Sequence, residues 1–160
     1  MQSHQEKIMQ RRIFLHAAVL VGAMPSIGFA KAPQPVIEVY KSATCGCCTQ
    51  WIEHLQANGF KVNAQNVPNT AAYRTKLGVP PSLGSCHTGT IGGYALEGHV
   101  PAADIKRLLA EKPRAKGLSV PGMPMGSPGM EVQGEPADAY DVLLFQADGK
   151  TTVYRHYAAK

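Results

Sequence analysis

Val36-Ile37-Glu38-Val39-Tyr40, a four-residue linker, and then Cys45-Gly46-Cys47-Cys48-Thr49-Gln50-Trp51-Ile52 form the stretch that decides the fold. The first five residues are rich in β-branched side chains and predict a strand. The period then changes. Trp51, Ile52 and Leu55 share one face of a helix running from about 46 to 58, and Gly59 stands where a left-handed cap belongs. The cysteines therefore fall where a strand meets a helix N-terminus. A thiolate there is stabilised by the unpaired N–H groups of the first turn and by the helix dipole.

Working outward, Phe60–Val67 predicts a second strand, and Asn69 or Thr70 caps a short helix that runs through Leu77 and stops at Gly78. Val79-Pro80-Pro81 follows, then short extended pieces near Ser85–Thr88 and Ile91–Leu96, joined through Gly89. Pro101 opens a third helix with Ile105, Leu108 and Leu109 on one face, and Pro113 ends it. Asp141–Gln146 and Thr151–Tyr157 flank Ala147-Asp148-Gly149-Lys150, a hairpin signal. The order βαβαββα has its cysteine pair at the first strand–helix junction and Pro80 or Pro81 ahead of the third strand. It predicts a thioredoxin-like α/β domain with a Met/Gly/Pro-rich loop and a C-terminal β-hairpin.

The chain has 160 residues, 44% of them hydrophobic, which is enough for one domain with a core and too little for two. Its net charge is +5, from 16 basic and 11 acidic residues. Lys7, Arg11 and Arg12 against Glu6 account for +2 of this, and the remaining basic residues are scattered without aromatic interleaving. Nucleic acid is therefore not an expected partner. Residues 1–30 read as a cleaved export signal: a polar start ending in Arg11-Arg12, an apolar run from Ile13 to Ala23, and small residues at Gly28 and Ala30. Arg11-Arg12-Ile13-Phe14-Leu15 resembles a twin-arginine signal, with an ordinary secretion signal as the alternative. Cleavage after Ala30 or Ala32 leaves residues 31–160 as a single periplasmic domain. No apolar run reaches about 18 residues, so stable membrane insertion is not expected.

The chemistry lies in four cysteines, Cys45, Cys47, Cys48 and Cys86. Two structural disulfides fit badly, because three of the four fall within four residues and so short a loop gains little from closure. Cys45-x-x-Cys48 reads as a thiol–disulfide exchange pair, but Cys47 adds a third nucleophile that would scramble such chemistry. Zinc sites of four cysteines come from two separated knuckles, and only one is present. The spacing matches no ferredoxin pattern. Cu(I) suits the set better, being soft and content with two or three sulfur ligands. In a thioredoxin-like fold the loop before the third strand lies beside the first helix, which brings Cys86 to the other three.

Leu118 to Met130 carries a second group of soft ligands: three methionines, three prolines and three glycines, with Pro121-Gly122-Met123 repeated as Pro128-Gly129-Met130. Pro-Gly favours a type II turn, which presents each methionine just after the bend. Met123 and Met130 are candidate copper ligands, Met125 less so, and the alternative is that all three pack against the core. His87, next to Cys86, is a candidate ligand or supporting partner. His99 reads as a surface or capping residue, with a metal role as the lesser alternative, and His54 and His156 as structural or exposed. Lys41, just before the cysteine loop, is placed to offset negative charge on a thiolate cluster. No Ser/His/Asp set, phosphate loop or paired carboxylate is evident, and no residue set demands catalytic turnover.

Cys45-Gly46-Cys47-Cys48, Trp51, Ser85-Cys86-His87-Thr88, Gly92-Gly93-Tyr94, Glu97-Gly98-His99-Val100-Pro101 and the segment Gly117–Met130 together resemble the CopG-type periplasmic copper-resistance proteins. The resemblance spans roughly residues 36–157 in family order. It implies a thioredoxin-like fold, a periplasmic setting, and copper bound as a thiolate cluster by Cys45, Cys47, Cys48 and Cys86, with several Cu(I) ions per chain. It also implies a role in copper resistance beside other periplasmic copper-handling proteins, and interconversion of Cu(I) and Cu(II). The competing expectations are a thiol–disulfide oxidoreductase using Cys45 and Cys48, and a zinc or iron–sulfur structural module.

Overall fold

The computed structural model describes residues 35–160; the expected export signal at 1–30 and both expected cleavage points lie outside these residues. In chain order the elements are β1 (Ile37–Lys41), α1 (Gly46–Ala57), β2 (Val62–Asn66), α2 (Thr70–Lys76), a 3-10 turn (Pro81–Leu83), β3 (His87–Ile91), β4 (Tyr94–Glu97), α3 (Ala102–Glu111), β5 (Gly117–Ser119), β6 (Tyr140–Phe145) and β7 (Thr151–Tyr157). The strands make one mixed sheet in the order β2-β1-β3-β4-β5-β6-β7. The β1–β2 and β4–β5 pairs are parallel, and the remaining neighbours are antiparallel.

Helix α1 forms as its pattern requires. Cys48, Trp51, Ile52 and Leu55 are buried at helical spacing. Past its end, Gly59 adopts a φ of +88° and Phe60 N–H returns to Leu55 O. Helix α2 is capped by Asn69, whose Oδ1 accepts from the Ala71 and Ala72 N–H groups. Helix α3 follows Pro101 and buries Ala102, Ile105 and Leu108. Trp51, Ile52, Leu55, Ile105 and Leu108 pack with Ile37, Val39, Leu96 and Val142 in the main core. Ala95 and Phe145 join Val79 and Leu83 in a second cluster. Ala95 and Leu96 are adjacent on β4, and adjacent strand residues point to opposite faces, so the sheet carries apolar packing on both sides.

Three local expectations change. The β3–β4 turn is Gly92-Gly93, both with positive φ, rather than Gly89. Gly89 lies inside β3, where a Cβ would come 2.6 Å from Glu38 O on β1. Pro80 and Pro81 open the 3-10 turn, and Gly84-Ser85-Cys86 separates that turn from β3. Strand β5 adds a pairing inside the segment expected as loop; Gly117 has no room for a Cβ beside the Ala95 backbone. The hairpin β6–β7 is where the sequence places it, and it is tied to α3 by Tyr157 O–H donating to buried Asp104 at 2.7 Å.

Candidate metal centre

Cys45 is the N-cap residue of α1 and makes no side-chain cap bond, so the first-turn N–H groups face the cysteine loop. Cys45 and Cys48 stand one helical turn apart, with Cα atoms 5.3 Å from each other, and are joined as a disulfide. Cys47 and Cys86 are free thiols. Cys86 Sγ lies 3.5 Å from Cys48 Sγ and 3.9 Å from Cys47 Sγ, and Cys47 Sγ lies 3.6 Å from Cys45 Sγ. All four sulfurs fall within 4.8 Å of one another. With a metal–sulfur bond of about 2.3 Å, two ligands on one trigonal ion stand about 4 Å apart, so once the Cys45–Cys48 bond is reduced the four sulfurs are close enough together to hold metal.

Cys86 reaches the group because its neighbour Ser85 is held on both sides. Glu97, fully buried on β4, accepts from the Ser85 N–H at 2.6 Å and from Arg74 Nε at 2.7 Å. Arg74 Nη2 in turn donates to Ser85 O at 2.5 Å, so one ion pair grips both backbone polar groups of that residue. Ser85 Oγ donates to Gly122 O in the Met/Gly/Pro loop. Burial pushes the Cys86 thiol up to about 12, with the adjacent Cys47 thiol adding to the shift. Cys86 is thus a neutral thiol at neutral pH, and a soft metal binding there must displace its proton.

Two imidazoles back this sulfur, and one of them corrects the sequence reading. His99 is fully buried instead of lying at the surface. Its Nδ1 donates to Pro128 O at 2.8 Å, which leaves the Nε2 lone pair 3.2 Å from Cys86 Sγ. Burial also lowers its pKa, which keeps the ring neutral. His87, also fully buried, sets Nδ1 3.3 Å from Cys86 Sγ and packs with its ring tilted 35° against Trp51 at a centroid distance of 4.2 Å. Burial, helped by His99, pushes its pKa down to about 3. Cys86, His87 and His99 thus form a second group of close donor atoms that shares Cys86 with the first. The only local hint of this burial in the sequence is the apolar pair Val100-Pro101 that follows His99, and the partner that fixes the ring, Pro128, lies 29 residues away.

The Met/Gly/Pro loop lies across α1. A Cβ on Gly129 would come 2.6 Å from Trp51 N and 2.8 Å from Cys47 O, so the loop backbone rests directly on the first turn of the helix. Gly122 and Gly129 both take positive φ, as the two Pro-Gly turns require. Met130 is half-buried beside this contact and Met125 is half-buried further along, whereas Met123 is 52% exposed. Lys41 is buried on β1 directly opposite His87, donates to Ser42 O at 2.9 Å, and contributes to the depressed His87 pKa. His54 accepts from the Ala102 N–H at the start of α3, and His156 pairs with Asp141.

A family model described as "Protein of unknown function, DUF411" matches residues 83–130, from the last residue of the 3-10 turn to the second Pro-Gly-Met. No curated protein sequence matches the chain. Two solved structures do: "Copper resistance protein copG- Form 1" and its "Form 2", each 49% identical with a TM-score of 0.73 and covering 78% of this chain. The match takes in 99% of the first of those chains and 98% of the second. With that identity over nearly the whole of its relatives, and with a cysteine cluster able to hold metal, the chain belongs to the CopG family of copper-resistance proteins.

Proposed function

We propose that the chain is a periplasmic copper-binding protein of thioredoxin-like fold that serves copper resistance. When fully reduced it holds several Cu(I) ions in a thiolate cluster of Cys45, Cys47, Cys48 and Cys86, and it interconverts Cu(I) and Cu(II). The observation that carries this reading is the convergence of four sulfurs from two distant parts of the chain to within 4.8 Å. Thiolates bridge soft ions readily, so four of them serve more than one copper. The strand–helix placement of the cysteines and the βαβαββα order through α3 favour the thioredoxin-like assignment. The leader sequence favours export, as residues 1–30, ahead of one domain from residue 31 on. Among the described residues no helix is long and apolar enough to cross a membrane. His87, Met123 and Met130 are secondary ligands in this reading, and the partners are copper ions and other periplasmic copper-handling proteins.

Anaerobic titration of the fully reduced chain with Cu(I), against a competing coloured chelator, tests the reading. It predicts more than one tightly held Cu(I) per chain, and a lower capacity when any one of the four cysteines is changed to serine. The Cys45–Cys48 bond favours a second reading, a thiol–disulfide oxidoreductase. That enzyme would hold no Cu(I) against the chelator and would keep its full activity after metal is stripped.

A further inference from the structure

The four sulfurs fall into two pairs with different geometry. Cys45 and Cys48, one helical turn apart on α1, are bonded, and their Cα separation of 5.3 Å lies in the ordinary disulfide range. Cys47 and Cys86 are free and stand 3.9 Å apart, too far to bond and close to the spacing of about 4 Å that a trigonal sulfur-bound ion requires. Cys86 is kept at that distance from outside the cysteine loop, by the grip of Arg74 and Glu97 on Ser85. Bonding of the first pair therefore leaves intact a two-sulfur seat with the bare His99 nitrogen beside it.

We infer that the two pairs divide the work: the Cys45–Cys48 dithiol reduces Cu(II), and Cys47 and Cys86 hold the Cu(I) produced. This deepens the copper reading and rests on it. In the step, two Cu(II) ions each accept one electron. The S–H bonds of Cys45 and Cys48 break, one S–S bond forms between them, and two protons leave to solvent. The thiols of Cys47 and Cys86 give up two further protons on seating one of the two Cu(I) ions, and the second Cu(I) is released. The direction follows from ligand softness, since thiolate favours Cu(I) over Cu(II) and so draws the electrons towards copper. Cys48–Cys86, at 3.5 Å, is the competing pair, and its sulfurs would have to close by about 1.5 Å against the Ser85 clamp.

The test uses the whole chain, reduced with a phosphine, freed of reductant and given two equivalents of a Cu(II) salt without oxygen. Cu(I) is then measured with a chromogenic chelator, remaining thiols are counted after copper removal, and the new disulfide is mapped by peptide mass. The expected result is two Cu(II) reduced per chain, loss of two of the four thiols, and a disulfide confined to Cys45–Cys48. Cys45→Ser should slow the reduction at least about tenfold, with Cys48→Ala as the second variant if the first folds poorly. Cys47→Ser should lower retention of the Cu(I) formed. A disulfide that includes Cys47 or Cys86, consumption of all four thiols, or unchanged reduction in both dithiol variants overturns the division of labour. Separate addition of Cu(I) tells the two levels apart. Failure to hold it sinks the copper reading, whereas retention combined with a wrong disulfide sinks only this inference.

Discussion

Gly129 is the residue on which the cover of the site turns. Its φ of +83° and its contact with the α1 backbone leave no place for a side chain. Gly129→Ala should lift the loop from the first turn of α1 and cost about 1–3 kcal/mol, read as a lower denaturation midpoint together with weaker copper retention. The buried histidines set a pH dependence. His87 has a folded pKa of about 3 against about 6.5 when unfolded, so on acidification the unfolded chain binds a proton that the folded chain refuses. Stability is full above pH 6.5 and falls below it by about 1.4 kcal/mol per pH unit for this one group, until about pH 3. His99 and His54 act in the same direction, while Glu97, raised by burial, opposes them above its ordinary range. Denaturation of the metal-free protein at several pH values checks the sign, and His87→Phe should flatten the slope by about one proton. The convergence of the four sulfurs was legible in the sequence because three are local and the fold plan supplied the fourth. His99 was not, because its burial depends on Pro128, a partner 29 residues away.

At the scale of elements, the segment carrying Cys86 is only as well placed as α2 and β4 make it. Arg74→Ala removes the cation from the fully buried Glu97 and one anchor from Ser85. The expected loss is about 3 kcal/mol in stability, measured by denaturation, with a matching drop in Cu(I) retention that Arg74→Lys restores only in part. Helix ends were readable because their signals are local: Gly46–Ala57, the Asn69 cap and the stop after Glu111 all follow from cap and breaker residues. The β3–β4 turn was misplaced because three glycines compete for it, and the register with β1, a long-range choice, puts Gly89 in the strand. Strand β5 has three residues and no alternation, so only its pairing with β4 and β6 reveals it.

Over the whole molecule, the sheet gathers the site by pairing β1 with both β2 and β3, which brings the ends of two separated segments beside the α1 N-terminus. The α/β class and the seven strands' approximate places were within reach of the sequence, apart from β5. The order β2-β1-β3-β4-β5-β6-β7 was not, since strand order depends on which faces pack rather than on any local pattern. The same long-range packing turns a spacing of cysteines into a donor set, with the Met/Gly/Pro loop resting on the α1 backbone beside it. The proposed copper cluster is tested by isolating the protein without oxygen from copper-fed cells, then measuring its metals by elemental analysis and its reactive thiols before and after chelation. The expected result is more than one copper per chain, with thiols masked until the copper is removed. A copper-free protein whose thiols react freely, or whose cysteines are already consumed as stable disulfides, would contradict it.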